Sequence, residues 1–479
     1  MKNHTITIAV AVVAAAGLAG CTTVPIDSGF GDVQRIAAER TGAIVQWSQH
    51  TADDRAVAAC VHAMLANQLT AGQAVQIALL NNHHLQATFE DLGIAQADLV
   101  QAGLLKNPIF DLGVRVPTRP PSNTYVDINV TEDFINVFFL PARRRLAQAQ
   151  LEQAKSRVTS EVLTLATDTK AAFYAYQAAE QLVELRQSIA DATAASLNAA
   201  KRLHDAGNNT DLDFINSKAQ DARAKVDLAD SQADAADARE RLNELMGLWG
   251  DDTAWTTAHQ LPDLPAREAQ RQGLETLAIR QRADLAAARQ DIAVQAQALG
   301  FTKQTRFLAE TNIGAEGERE TDGQWRIGPS LSLPIPLFDQ GQAAIPRAQV
   351  VLIQSQQRYL ALAVDVRSQV RGAATRMFSA RAKAQLYHDQ VLPLQEQVVA
   401  QTQLQYNGML VGVFQLLQVR RDQIDAAREY IESLRDYWSA RAALERAIGG
   451  RLPDAATTQP STMPCGMSLE DMSIYGGLP

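Results

Sequence analysis

The sequence predicts a mainly α-helical fold with a small β part, built on long antiparallel coiled-coil helices and four amphipathic strands. Three observations predict it. Two stretches of about 60 residues repeat apolar side chains at three- and four-residue steps, one of them with no internal Gly or Pro. Four shorter stretches alternate apolar with polar residues. The whole succession of elements occurs twice, at an offset near 200 positions.

The bulk composition agrees. The chain has 479 residues, of which 20% are charged and only 6% aromatic. Its aliphatic content is mostly Ala, Leu and Val, which suits closely packed helices because Ala loses little entropy in a helix and lets backbones approach. The net charge of -9 argues against a nucleic-acid partner, which wants a basic face.

Lys2 and the apolar run Ile6–Leu18 read as an export signal, too short for the roughly 20 residues of a membrane span. The run ends in Leu18-Ala19-Gly20-Cys21, which resembles the lipobox of bacterial lipoproteins. That resemblance implies that residues 1–20 are a signal peptide and that Cys21 carries a diacylglyceryl group. Thr22, rather than Asp, follows the Cys, and by likeness to sorted lipoproteins this favours the outer membrane. No other stretch is long and apolar enough for a spanning helix, so any crossing requires strands closed into a barrel. Cys60 and Cys465 then remain, an even number in an oxidising compartment.

Residues 21–68 are of mixed character and end in an apolar-periodic piece around Val57–Leu65. Leu69–Leu104 reads as one helix, with Val75, Leu79, Leu85, Leu92 and Leu99 on one side, stopped at Asn107-Pro108. Strand-like runs follow at Phe110–Val116 and Val126–Thr131, separated by the turn residues Arg119–Asn123. Pro141–His204 is a helix of about 100 Å at 1.5 Å per residue. Gly207-Asn208-Asn209 breaks it, and Asp211–Leu245 returns, closed by Gly247 and Gly250.

The order then repeats. Leu274–Leu299 is helical, and Leu277-Ala278-Ile279 resembles Ile77-Ala78-Leu79. Strand-like runs occupy Phe307–Ala315 and Trp325–Ile335. A long helix runs Ala343–Gln405 with a bend at Pro393. A turn at Gly408–Gly412 precedes a return helix ending at Ile448-Gly449-Gly450, and residues 204–247 align with 406–449 without a gap. The repeats are thus 69–250 and 265–450, with an irregular tail at 451–479.

Four strands cannot close a membrane barrel, which needs about eight. A helix of about 100 Å with a narrow apolar stripe also needs neighbours along its length. The chain therefore oligomerises if its strands cross a membrane. Two copies give eight strands and three give twelve, and the physics of the sequence does not choose.

The order helix, two strands, long helix, return helix, present twice, resembles the outer-membrane factor family typified by TolC. Leu331-Ser332-Leu333-Pro334-Ile335-Pro336-Leu337-Phe338-Asp339-Gln340-Gly341 is similar to that family's second-strand exit. Phe139-Leu140-Pro141-Ala142-Arg143 resembles its first-repeat counterpart, and Leu69-Thr70-Ala71-Gly72-Gln73-Ala74 resembles the first family helix. The resemblance implies a homotrimer with a shared twelve-stranded β-barrel in outer-membrane lipid and a periplasmic α-helical barrel. It implies a channel subunit of a tripartite efflux system, docked on a periplasmic adaptor and an inner-membrane pump, exporting small solutes or metal ions.

By the same resemblance the helix reversals at Gly207, Thr210, Gly408 and Gly412 contact the adaptor. Family members often carry two acidic residues three apart just past the second reversal. Gln415 and Gln418 stand there, so the acidic ring is absent, and Asp211 and Asp213 of the first reversal join them as constriction candidates. Asp211 reads first as a cap of the return helix, as Asp suits a helix N-terminus. The resemblance also places Cys60 and Cys465 near one mid-tunnel belt, implying a disulfide. The stretch Gly31–Trp47 resembles outer-membrane factors for heavy-metal efflux.

No phosphate loop, His-Glu-x-x-His or Gly-x-Ser-x-Gly occurs, so an enzyme is not expected and no cofactor is implied. His83-His84 reads as structural, since adjacent helical residues face different ways. Met463, Cys465, Met467 and Met472 suit a soft metal, but read first as an irregular end. The competing function is a structural coiled-coil periplasmic lipoprotein that transports nothing. Such a spacer has no need of the four alternating strands.

Overall fold

A computed structural model describes residues 29–452 apart from 50–51, 117, 120–122, 133–135, 307–310 and 333–334. Cys21, Cys465 and the Met-containing tail lie outside the described residues. The described chain forms two compact units, one of residues 29–31, 90–155 and 288–357, the other of 32–89, 156–287 and 358–452.

The helices are α1 (Phe30–Thr41), α2 (Ala52–Leu65), α3 (Ala71–Asn81), α4 (His83–Gly103), α5 (Asn136–Asp205), α6 (Asp211–Met246), α7 (Leu274–Gln281), α8 (Ala283–Thr305), α9 (Ala344–Leu386), α10 (Leu392–Asn407) and α11 (Val413–Ile448). The strands are β1 (Gln68–Leu69), β2 (Ile109–Arg115), β3 (Tyr125–Glu132), β4 (Thr256–Thr257), β5 (Asn312–Arg319) and β6 (Trp325–Ser332). No helix among the described residues is long and apolar enough to cross a membrane.

The first unit holds a four-stranded antiparallel sheet in the order β2-β3-β5-β6. Register decides its chemistry. Phe110, Leu112 and Val114 pair with Val130, Ile128 and Val126, and these pair with Ala315, Gly317 and Arg319. Ile313, Ala315 and Gly317 face Leu331, Pro329 and Ile327. Because side chains alternate across a strand, these residues share one face, apolar except for Arg319, with Glu132 in register opposite Ile313 at its end. The opposite face carries Asp111, Asp127, Asn129, Glu316, Glu318 and Arg326. Phe110, Leu112, Ile327 and Leu331 are all exposed in the single chain.

The second unit is helical, and a clamp occurs in it twice. The predicted single helix Leu69–Leu104 is instead broken at Asn82, whose backbone is extended (φ -72°, ψ 111°). The Asn82 amide donates to the Leu245 carbonyl at 2.9 Å, and that of Asn81 to the Met246 and Gly247 carbonyls at 3.1 and 2.8 Å. These carbonyls end α6 and have no partner inside it. Asn82 Oδ1 accepts from the Leu85 N–H at 2.9 Å, capping α4. Two hundred residues on, Arg282 breaks α7 from α8 (φ -63°, ψ 124°) and donates to the Ala447 carbonyl near the end of α11 at 3.3 Å. Each return helix closes on a left-handed glycine, Gly247 (φ 67°) or Gly449 (φ 79°).

A buried chain of charges joins the repeats. Lys170 of α5 meets Glu445 of α11 at 2.6 Å, and Arg441 meets Glu268, just ahead of α7, at 2.6 Å. Arg381 of α9 approaches Glu268 at 3.5 Å, and the Tyr437 hydroxyl donates to it. Burial first, and then that hydrogen bond, push the Tyr437 phenol up to about 12.

Two helix ends differ from expectation. Helix α5 starts at Asn136, before Pro141 rather than at it. The bend at Pro393 is a π-turn over Tyr387–Val391, which widens the helix just where proline has no N–H to offer the turn before it.

Gly247→Ala should destabilise the protein by about 2–4 kcal/mol, combining left-handed strain with a Cβ that would stand 2.6 Å from the Asn81 carbonyl oxygen. Gly250→Ala has the same sign of φ but open space, and should cost only about 1 kcal/mol. Denaturant unfolding of both variants checks this, and equal losses contradict the clamp.

Candidate functional site

The two helix reversals of the second unit are the candidate tip of a conduit, and they are built alike. In the first, the Asn208 N–H bonds to the Leu203 carbonyl at 2.8 Å and the Gly207 N–H to that of His204 at 2.9 Å. In the second, the Leu410 N–H bonds to the Gln405 carbonyl and the Met409 N–H to that of Tyr406, both at 2.9 Å. Both are helix ends closed by a left-handed residue. Gly207 serves at φ 76°, but 202 residues on it is Met409 at φ 59°, not Gly408, whose φ is -81°. A side chain in that region costs about 1–2 kcal/mol. Met409 is 93% exposed and Leu410 78% exposed.

Thr210 caps α6. Its hydroxyl oxygen accepts from the Asp213 N–H at 3.1 Å, and the hydroxyl donates to the Asp213 carboxylate at 2.7 Å. Asp211 therefore does not cap, contrary to one sequence reading. It pairs with His204 Nε2 at 2.7 Å, and the imidazole stacks on Phe214 with centroids 5.0 Å apart. The hydrogen bond to Asp211 holds the His204 pKa above its ordinary value. The spacing Thr210-x-x-Asp213 is a cap signal that the sequence offered. No local signal marks Met409, because only the helix path requires its backbone angle.

The second reversal has no counterpart to this network. Gly412 starts α11 without a side-chain cap. Gln415 and Gln418 are both exposed, and Gln418 donates to Asp422 at 2.8 Å. The reversals thus offer a mixture of engaged carboxylates, amides and an apolar knob, with no nucleophile–base pair. Among the described residues no three His, Cys, Asp or Glu side chains are grouped to hold a metal.

In the sheet unit, Asp127 and Glu318 are opposite partners on the polar face, and Asp111, Asn129 and Glu316 share the neighbouring row. The Tyr125 hydroxyl donates to Glu318 at 3.1 Å. Elsewhere in the helical unit, Cys60 is buried and disulfide-bonded, while His83 and His84 lie exposed at the start of α4.

Residues 74–248 match a family described as outer membrane efflux protein. Over 395 residues the chain is 23% identical to the cobalt-zinc-cadmium resistance protein CzcC of Cupriavidus metallidurans, spanning 80% of this chain and 91% of that one. Its fold is similar to a membrane protein from Pseudomonas aeruginosa (TM-score 0.65, 17% identity, covering 81% of this chain and 95% of the other). It is likewise similar to the outer membrane protein VceC of Vibrio cholerae (TM-score 0.63, 20% identity, covering 80% and 96%).

Because the His204 pKa is raised, its pair with Asp211 contributes fully below the ordinary imidazole value of about 6.5 and is lost as pH rises through the raised value. An NMR titration should place the His204 pKa above the ordinary imidazole value, and Asp211→Asn should return it toward that value. No change in the variant removes the pair from the account.

Proposed function

We propose, from the match of residues 74–248 to the outer membrane efflux protein family, that three copies form the outer-membrane exit duct of a tripartite efflux system whose cargo is divalent transition-metal cations. The amphipathic four-stranded sheet carries this reading. β2 and β6 are each paired on one side only, so in a bilayer each leaves a row of backbone groups unpaired. Pairing β6 of one copy with β2 of the next satisfies both rows, with the apolar face toward lipid and the acidic face toward a lumen.

A second support lies in α6. Leu212, Ile215, Ala219, Ala222, Val226, Ala229, Ala233 and Ala236 follow a strict three-four repeat, and all are exposed in the single chain. Such a seam calls for a helix of another copy. The small residues allow close approach, so the helices can pack as staves of a periplasmic tunnel. The metal cargo rests on the likeness to CzcC and on the carboxylates of the polar sheet face.

In this reading residues 69–250 and 265–450 are the two repeats. The reversals at Gly207, Thr210, Gly408 and Gly412 meet a periplasmic adaptor that connects to an inner-membrane pump, with the Met409-Leu410 knob as its apolar anchor. Gln415 and Gln418, with Asp211 and Asp213, line the closed constriction. Cys21 bears the lipid anchor, and Cys60 is linked to Cys465.

In planar bilayers the protein should conduct, and Gln415→Asp with Gln418→Asp should raise cation selectivity. A silent bilayer favours a coiled-coil spacer, and conduction with unaltered selectivity removes the two glutamines from the constriction. Loss of the gene should sensitise cells to cobalt, zinc or cadmium rather than to dyes.

Mass measurement of the detergent-solubilised particle should give three chains, and Ala229→Asp should shift it toward the monomer. A stable monomeric wild type contradicts the trimer. Unreduced peptides from the same sample should contain lipidated Cys21 and a Cys60–Cys465 link, and free alkylatable Cys465 refutes the latter.

A further inference from the structure

One end of the sheet carries a concentration of positive charge that a conduit for cations does not require. Ile109, Thr131, Asn312 and Ser332 mark this end, since Ile109 pairs with Thr131 and Asn312 with Ser332. Four described segments attach there: residues 100–108, 136–148, 298–306 and 335–348. They hold Lys106, Arg143, Arg144, Arg145, Lys303, Arg306 and Arg347, against the single anion Asp339. Counting Glu132, Asp133 and Glu310 of the intervening sequence still leaves the end positive, in a chain whose net charge is -9. The opposite end carries Arg115, Arg119, Arg319 and Arg326 against Glu318, Glu320 and Asp322, a smaller excess, and Glu320 is paired with Arg326.

The segments lie together. Phe139 of α5 meets Phe301 of α8 edge-on, with centroids 6.1 Å apart. A Cβ on Gly103 would touch the Arg144 stem, and one on Gly341 would touch that of Arg306. Phe138, Leu337 and Phe338 project beside them, exposed by 74%, 70% and 91%. Nε and Nη2 of Arg143 are buried without any hydrogen-bond partner. A guanidinium with two idle donors is matched by a phosphodiester, which accepts in a two-pronged fashion. Exposed aromatic rings beside cations, continuous with an apolar sheet face, describe a bilayer interface.

We propose that this end of the sheet is an arginine collar that binds the anionic headgroups of bilayer phospholipids. The proposal rests on the reading of the sheet as membrane-spanning. Arg144 and Arg145, both exposed, hold the phosphate from the rim, Arg143 reaches it by swinging its unpaired Nε and Nη2 out of their buried position, and the exposed rings sit among the acyl chains. The uneven charge fixes which end of the sheet meets the phospholipid leaflet.

The full-length protein is tested by native mass spectrometry for retained phosphatidylglycerol against phosphatidylcholine, and by flotation with vesicles of either lipid. Phosphatidylglycerol should be retained preferentially. Replacing Arg143, Arg144 and Arg145 with Gln should weaken its binding roughly fivefold for each charge removed, leaving phosphatidylcholine unaffected. Replacement with Lys should keep the preference. Arg144→Gln alone provides the reading if the triple variant does not fold. Equal retention by the wild type, an undiminished preference in the Gln variants, or loss of subunits on charge removal each overturns the collar. Failure to float with either vesicle overturns the membrane reading and the collar together, whereas flotation without preference overturns the collar alone.

Discussion

The helical unit depends on how each return helix ends. The last carbonyls of α6 and α11 have no partners within their own helices, and a deep end without partners is unstable. Asn81 and Asn82 supply donors for the first, and Arg282 for the second. To bring those donors close, the backbone of each return helix must come against the break between two shorter helices. A Cβ on Gly247 would collide with the Asn81 carbonyl, and one on Gly449 would press on Arg282. The glycine is needed twice over, for its left-handed φ and for the absence of a side chain.

The N-terminal segment then straps this arrangement. Gln76 of α3 donates to and accepts from the Ile44 backbone at 2.8 and 2.9 Å, and Gln86 of α4 does the same with Gln46 and Ser48 at 2.9 and 2.8 Å. Arg40 donates to the Gln281 carbonyl, and Arg451 to that of Thr41 at 2.6 Å. The strap therefore holds the break of both repeats. The Lys170–Glu445 pair crosses from α5 to α11 with a buried carboxylate and a half-buried ammonium, and the Arg441–Glu268 pair ties α11 to the segment before α7 with both side chains buried. Removing one partner there strands the other charge, so these pairs specify register more surely than they add stability.

Much of this was legible in the sequence. Strand alternation identified β2, β3 and β6 and their two faces, because a period of two leaves no freedom in which side a residue occupies, whereas β5 spans Asn312–Arg319 rather than the expected Phe307–Ala315. The offset between Ile77-Ala78-Leu79 and Leu277-Ala278-Ile279 is the offset at which the helix break recurs, from Asn82 to Arg282. The helix break was not legible. Asn82 and Arg282 sit inside good apolar periodicity, and each leaves the helix only because a partner carbonyl more than 160 residues away takes its side chain. The candidate tip was half legible. Its turns announced themselves through Gly and Asn, but Thr210 rather than Asp211 proved to be the cap, and Met409 rather than Gly408 the left-handed residue.

The sequence by itself determined the element types, their duplicated order and the two-faced character of the strands, because these follow from local periodicity and backbone preference. It also determined that one chain has too few strands for a barrel. Tertiary structure alone decided the strand order β2-β3-β5-β6, the placing of Asp127 beside Glu318, and the gathering of seven cations at one end of the sheet. Those pairings join residues nearly 200 positions apart. Nothing local encodes them, because they are set by which backbone groups must find partners once the helices have packed.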